Sequence, residues 1–295
     1  MMQPIFLHKH TKSNFQSFVI RHAKVPHLYN KWHYHKEIEL LYVIKSSGTR
    51  FIGDSIQPFF DGDMVLIGSN VPHFWQNDEA YFKDDPNYVA EVVLLQFEEG
   101  FMGNALSLPE MLPIKHLFAK ALHGIQFYGA TKDNVAALLM DIAYQEQENK
   151  VIILLQMLDI IAKSEECHLL SDLSYIMKLP VHSSERIQLV CAFLLEHYKE
   201  DITLSEVARV ANMTEKAFVV SSKKSTQKTL GQFVNELRIS HACKLLINHN
   251  HSIGEVCYES GFNNLSNFNR IFKRITGQTP SEYQQKKLPF FIVRS

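Results

Sequence analysis

Residues 252–283 read SIGEVCYESGFNNLSNFNRIFKRITGQTPSEY, and the remainder of the chain is best understood outward from them. Ser252 with Glu255 three residues later is a capping box: the serine oxygen accepts from an orphan amide while the glutamate reaches back to the first. A helix is expected to start there. Ile253, Val256 and Cys257 fall at i, i+3 and i+4 and make one buried face, and Gly261 is placed to end the helix, since glycine enters the left-handed region at no steric cost. Asn263 or Asn264 then caps a second helix that turns Phe268, Ile271 and Phe272 inward and leaves Ser266, Asn267, Asn269, Arg270, Lys273 and Arg274 outside. Two short helices across a glycine-containing turn, the second polar and basic outside, follow the helix-turn-helix plan, whose second helix can lie in a DNA major groove.

Such a pattern standing alone is more often a helical hairpin with a solvated basic face. This chain carries a second copy. From Thr203, TLSEVARVANMTEKAF repeats it: Leu204 matches Ile253, Glu206 matches Glu255, Val207 matches Val256, and Phe218 matches Phe268 after a one-residue insertion. Thr203 and Glu206 make the same capping box. A repeat at a period of about fifty residues marks a duplicated unit, with too few copies for a solenoid. Between the copies, QFVNELRISHACKLLI (232–247) is apolar at Phe233, Leu237, Ala242, Leu245 and Leu246 and reads as one connecting helix.

On these residues, roughly the last hundred positions resemble the AraC/XylS family of bacterial transcription regulators. The resemblance rests on ITLSEVA (202–208), ELR (236–238), ACKLL (242–246), GFNNLSNFNRIFK (261–273) and TGQTPSEY (276–283). It implies two helix-turn-helix units on one helix, with both recognition helices facing successive major-groove segments of double-stranded DNA. The DNA-contacting positions it points to are Lys216, Val219, Lys223 and Lys224 in the first unit and Leu265, Ser266, Asn269, Arg270 and Lys273 in the second. The first recognition helix departs from the family, which has an Arg, an aromatic and a Phe before its Lys. Here AFVVSSKK leaves Val219 and Val220 outside and puts Ser221 and Ser222 where apolar packing is expected. The repeat shows the same loss, because Val220 stands opposite Arg270 and Ser222 opposite Phe272. A valine cannot make the bidentate contact to guanine that an arginine makes, worth roughly 1 to 3 kcal/mol of discrimination. Base reading is therefore expected mainly from Asn269 and Arg270, with Leu265 and Ser266 alongside, while Lys216, Lys223, Lys224 and Lys228 hold phosphates.

Composition agrees with a two- or three-core globular protein: 295 residues, 46% apolar and 21% charged. The net charge of -1 conceals an asymmetry, with 15 Lys+Arg against 21 Asp+Glu up to His182 and 15 against 10 beyond it. The basic half is the half with the motifs, as a nucleic-acid partner requires. Cys167, Cys191, Cys243 and Cys257 are scattered without paired spacing and read as buried free thiols. The N-terminus has no sustained apolar core, and VIILLQMLDIIA (151–162) is too short and too interrupted to span a bilayer, so a cytoplasmic protein with no membrane partner is expected.

From Ser17 to about Phe97 the texture is β. FVIRH, IELLYVIK, TRFIGD, DMVLIG and VAEVVLLQF are short runs rich in Val, Ile and Phe, separated by Gly, Asp, Asn and Pro, which implies a sandwich or barrel. Within them, His33, His35 and Glu39 stand in HYHKEIE, and if that strand is unbroken its alternation points all three side chains one way. MVLIGSNVPHFW brings His73. These positions resemble the two cupin motifs, with Asn77 four residues beyond the last histidine, the glycine after the first motif displaced to Gly48, and Gly68 in place of the usual proline. The resemblance implies a metal set of His33, His35, Glu39 and His73, suited to Zn, Fe, Mn or Ni. The same residues with Trp75 equally suit an effector pocket without metal, for a sugar or another small molecule. Trp32, Tyr42, Phe74 and Trp75 could stack on an effector, although aromatics in a small barrel are more often core.

From Ser107 to His182 the texture is helical, and the helix at 150–164 is apolar on most sides, enough to bury against the barrel and a second subunit. KLPVHSSER (178–186) reads as a linker. The expected fold is α+β: a cupin-like β-barrel or sandwich over 1–104, a helical dimerisation region over 105–182, and an all-α domain with two helix-turn-helix units over 183–295. The expected function is a non-enzymatic, sequence-specific transcription regulator that responds to a small molecule, acts as a homodimer and meets RNA polymerase. The rival is a metal-dependent cupin enzyme with a helical appendage, which leaves the repeat unexplained.

Overall fold

The structure is a computed structural model that describes residues 5–6, 17–144, 150–171, 184–226, 228–247 and 251–285. The N-terminal part is two sheets face to face. Strands β1 (Ile5–Phe6), β3 (His33–Tyr34), β8 (His73–Asn77), β5 (Gly48–Ile52) and β6 (Ser55–Phe59) lie side by side in that order. The second sheet runs β11 (Cys167–Leu169), β10 (Ile125–Phe127), β7 (Met64–Ile67), β4 (Ile38–Lys45), β9 (Ala90–Phe97), β2 (Phe18–Val25). Pairing is antiparallel apart from β1 with β3.

The wholly apolar strand runs have a direct cause: the six-stranded sheet is covered on both faces. Ile38, Leu40, Met64, Leu66, Val93 and Leu95 face helices α1 (Leu112–Ala121), α2 (Gly129–Tyr144) and α3 (Lys150–Ala162). Their alternates Leu41, Val43, Val65, Ile67 and Val92 face the other sheet. On α3, Leu154, Met157, Leu158 and Ile161 are buried while Val151 and Ile152 remain exposed. The segment expected to be purely helical also supplies β10 and β11, two three-residue strands that extend the six-stranded sheet. Gly48 is required by close approach: a Cβ there would sit 2.1 Å from the carbonyl oxygen of Gln76 on the neighbouring strand.

The C-terminal part is all helix: α4 (Ser184–His197), α5 (Leu204–Val210), α6 (Glu215–Thr226), α7 (Leu230–Ile247), α8 (Ile253–Glu259), α9 (Leu265–Thr276) and α10 (Pro280–Gln285). Both expected capping boxes are formed. Thr203 N donates to Glu206 Oε2 at 2.8 Å and Glu206 N to Thr203 Oγ1 at 3.3 Å; Ser252 and Glu255 repeat this at 2.7 and 3.3 Å. Asn264 is the cap of α9, its Oδ1 accepting from Asn267 N at 2.9 Å. Gly261 has a φ of 86° and its Cα hydrogen faces the backbone of Lys199, so both conformation and space exclude a side chain. Of the expected linker, 178–186, residues 178–183 lie outside the described residues.

The two parts share a seam. α7 packs on β6, and Phe51 and Phe74, stacked at 4.1 Å on the outer face of the five-stranded sheet, join Trp32 in one apolar cluster with Leu194, Val234 and Leu237. Polar contacts flank that cluster: Thr49 to Ser240 at 3.3 Å, Lys244 Nζ to Asp78 Oδ1 at 2.6 Å, and Lys228 to both Asp54 and Glu236. Cys167, Cys243 and Cys257 are free thiols, as expected, and the side chain of Cys191 lies outside the described residues.

Candidate nucleic-acid interface and polar quartet

The two helix-turn-helix units superimpose in sequence position as the repeat predicts. α6 and α9 each span twelve residues, fifty positions apart, and each buries the phenylalanine at its fourth position, Phe218 and Phe268. Burial continues along α9 through Ile271, Phe272 and Thr276, which settle against Val256, Cys257, Phe262 and Tyr283. The face opposite is open: Leu265, Ser266, Asn269, Arg270 and Lys273 are all exposed. Arg270 Nη2 donates to Asn267 Oδ1 at 2.8 Å, which holds the guanidinium along the helix rather than free in solvent. Gly277, at φ 77°, ends α9 with its N–H on the Lys273 carbonyl.

In the first unit, Lys216, Val219 and Val220 are exposed. The backbone of α6 is helical through Thr226 despite the serines at 221 and 222; the side chains of Lys223 and Lys224 lie outside the described residues. Lys228 is not on this face. Its ammonium is turned to the seam, 2.8 Å from Glu236 Oε2 and also donating to the Asp54 carbonyl, which corrects the expectation that it grips phosphate. Burial pushes the Glu236 carboxyl up, with Lys228 opposing.

The second constellation is the quartet inside the sandwich. The strand that carries His33 ends at Tyr34 and β4 starts anew at Ile38, so the condition of one unbroken strand through His33, His35 and Glu39 is not met. The four side chains converge by a different route. His33 and His73 are direct partners across β3 and β8 in one sheet, His35 follows β3, and Glu39 points inward from β4 of the other. All four are buried, and the histidine ligand atoms lie within 4.8 Å of one another. Each imidazole is oriented through its Nδ1, which donates to a backbone carbonyl: Lys31 at 2.8 Å, Glu37 at 3.0 Å and Val71 at 2.8 Å for His33, His35 and His73. That fixes the tautomer and leaves the Nε2 lone pairs for the centre.

Two observations test whether a metal suits these residues. His73 Nε2 is buried with no hydrogen-bond partner among the described residues, 3.7 Å from Glu39 Oε1. Burial, reinforced by the adjacent His33, also pushes the His73 imidazole well below its ordinary value against the pull of Glu39, keeping it in the neutral form that ligates. His35 Nε2 faces Glu39 Oε2 at 3.0 Å while its Nδ1 faces the Glu37 carbonyl, so the ring nitrogen and the carboxylate are both turned to the centre. Gln96, paired with Glu39 in register, donates to the same carboxylate. The donor set fits a borderline divalent ion of the Zn, Fe, Mn or Ni kind, which would supply Lewis acidity or a structural clamp.

Asn77 and Trp75 do not join the quartet. Asn77 accepts from Leu28 N at 2.7 Å and donates to Ser46 Oγ at 2.6 Å, tying loops together. Trp75 packs edge-on to Phe59 at 5.0 Å within the sandwich core. The sequence reading missed a cleft of about 1130 Å³ at the seam, lined by Lys31, Trp32, Phe74, Tyr198, His241 and Lys244 among others. Its walls come from segments far apart in the chain, and no local pattern announces it.

Comparison with known proteins bears on the C-terminal part. Residues 207–286 match the model of a helix-turn-helix domain. An uncharacterized HTH-type transcriptional regulator of Staphylococcus aureus (strain COL) is 30% identical over 115 residues, 38% of this chain and 15% of that protein. Another, from the cgkA 5′ region of Pseudoalteromonas carrageenovora, is 31% identical over 99 residues, 34% of this chain and 58% of that protein. The chain thus spans about 15% of the length of the Staphylococcus relatives. Among solved structures, ToxT of Vibrio cholerae with bound unsaturated fatty acid aligns over 91% of this chain and 95% of its own at 15% identity and TM-score 0.34. The DNA-binding domain of AdpA in complex with target DNA aligns over 34% of this chain and 91% of its own at 27% identity and TM-score 0.32. Two capped helix pairs on one connecting helix, with the family match laid over them, define a helix-turn-helix protein. That domain occupies residues 207–286, the C-terminal part of the chain.

Proposed function

We propose that this protein is a sequence-specific, double-stranded-DNA-binding transcription regulator whose N-terminal cupin-like sandwich binds a small effector. The reading is carried by one observation: α9 buries Phe268, Ile271 and Phe272 and presents Asn269, Arg270 and Lys273 outward, the division that a helix lying in a major groove needs. Asn269 and Arg270 offer bidentate donors and acceptors to base edges, and Lys216 and Lys273 offer charge to phosphates. The quartet of His33, His35, Glu39 and His73 is the effector or metal site in this reading, supported by its Nδ1-anchored imidazoles and the unpartnered Nε2 of His73. Dimerisation through the outer side of α3 is part of the proposal, supported by the exposure of Val151 and Ile152.

Fluorescence anisotropy on labelled duplex from the gene's own upstream region, with salt varied, tests the reading. Binding is expected to weaken steeply with salt and to favour this duplex over a shuffled one by at least an order of magnitude. Equal affinity for both duplexes removes the proposal. The quartet also supports a second reading, a metal-dependent enzyme. His35→Ala separates the two, because a sensor keeps DNA binding and loses its response to the effector whereas an enzyme loses turnover.

A further inference from the structure

The two recognition helices are built alike and surfaced differently. Fifty positions before Asn269 and Arg270, with the buried Phe218 in register with the buried Phe268, α6 presents Val219 at 44% and Val220 at 63% exposure. Two branched aliphatic side chains side by side on an otherwise hydrophilic helix cost solvation in the free protein, and nothing in the fold covers Val220 among the described residues. An exposed lysine, Lys216, precedes them by one helical turn, as a groove-facing helix flanked by phosphate contacts requires. Only one group in the major groove is apolar: the C5-methyl of thymine.

Resting on the DNA-binding reading above, we infer that the first unit reads thymine by its methyl group, with Val219 and Val220 as the specificity-determining residues, while the second unit reads hydrogen-bonding edges through Asn269 and Arg270. The two halves of the binding site then differ in kind. In the Arg270 half, preference comes from donors and acceptors. In the valine half it comes from shape and desolvation, which are smaller and independent of hydrogen-bond geometry: a methyl desolvated against two valines contributes about as much as one buried CH2 group, a roughly fourfold change in affinity. Neither valine lies in the core, so polar replacement leaves the domain folded.

The experiment takes a duplex selected from a randomised pool by the full-length protein, and assigns to the first unit the half-site whose preference survives Arg270→Ala. Deoxyuridine then replaces every thymine in one half-site at a time, which removes the methyl and leaves all hydrogen-bonding groups. Affinity is expected to fall about fourfold for each contacted methyl in the first half, and cytosine-to-5-methylcytosine changes in that half are expected to be tolerated where cytosine itself is not. The double variant Val219→Ser/Val220→Ser, with its fold checked by circular dichroism, is expected to bind the thymine and uracil duplexes equally. Equal binding of both duplexes by the unsubstituted protein overturns the inference and leaves the valines to a protein partner, as does a serine variant that still discriminates. Failure of the selection to enrich any sequence defeats the DNA-binding reading instead.

Discussion

Asp78, the residue that follows strand β8, lies 2.6 Å from Lys244 on α7, and this ion pair ties the strand that begins at His73 to the helix that carries both helix-turn-helix units. The carboxylate is held on its other side by Ser47, whose hydroxyl donates to Oδ2 at 2.6 Å. Strand β8 thus runs from the quartet to the residue that pairs with α7 without an intervening loop. On the proposed reading, that continuity is the route by which an effector at the quartet would bias the placement of the DNA-binding module.

The strength of the tie follows from its exposure. The Lys244 and Asp78 side chains are 18% and 34% accessible, so solvent screens the pair, and a double-mutant cycle of Asp78→Ala and Lys244→Ala is expected to give a coupling of about 0.2–1 kcal/mol. The cycle is needed because Asp78→Ala alone also removes the Ser47 hydrogen bond. Urea unfolding of the four proteins measures it, and zero coupling means that the Lys244–Asp78 pair adds nothing to the seam beyond its other contacts.

Arg270 and Lys273 are both exposed on α9 but are expected to fail differently. On the proposed reading, in which Arg270 meets a base edge, loss of the guanidinium in Arg270→Ala should cost about 1–3 kcal/mol for the preferred duplex and relax preference at one base pair. Lys273→Ala should weaken all duplexes alike and lower the salt slope by about one. Anisotropy titrations at four salt concentrations separate the cases; parallel salt lines for Lys273→Ala and the unsubstituted protein would show that this lysine touches no phosphate.

Legibility in the sequence tracked the range of the interactions involved. The capping boxes of Thr203 with Glu206 and Ser252 with Glu255 span three residues, and their geometry follows from spacing alone. The same locality exposed the valines opposite Asn269 and Arg270. The quartet was legible as a set of residue types but not as a geometry: the strand ends at Tyr34, and Glu39 reaches the histidines from the opposite sheet through pairings of β4 with β7 and β9. Strands β10 and β11 were invisible because three residues carry no periodicity, and only the pairing of β10 with β7 and of β11 with β10 makes them strands. Lys228 was misread for the same reason, since its partner Asp54 lies 174 positions away.

On the proposed reading of the quartet, His73→Ala removes the nitrogen that has no hydrogen-bond partner among the described residues and should abolish metal binding while leaving DNA binding intact. Elemental analysis and thermal unfolding with added Zn, Ni, Mn or Fe(II) provide the check. An ion present at a hundred times its dissociation constant stabilises the folded state by about 2.7 kcal/mol, enough to raise the melting temperature by several degrees. No shift with any of the four ions in the unsubstituted protein would leave the site to an organic effector.

His241 predicts a pH dependence whose sign is fixed by its surroundings. It sits on α7 at the cleft, its ring 5.7 Å from that of Tyr198, and burial together with Lys199 and Lys244 pushes its imidazole down to about 3, against the pull of Asp78. The unfolded chain takes up this proton near pH 6.5 and the folded protein does not until about pH 3. Neutral His241 therefore contributes stability that is fully present above pH 6.5 and is lost progressively as the pH falls toward 3, with a slope of at most about 1.4 kcal/mol per pH unit. His241→Gln, which cannot take up the proton, should be less sensitive than the unsubstituted protein between pH 7 and pH 5 in urea unfolding. If both lose stability in parallel on acidification, the imidazole is not the group responsible.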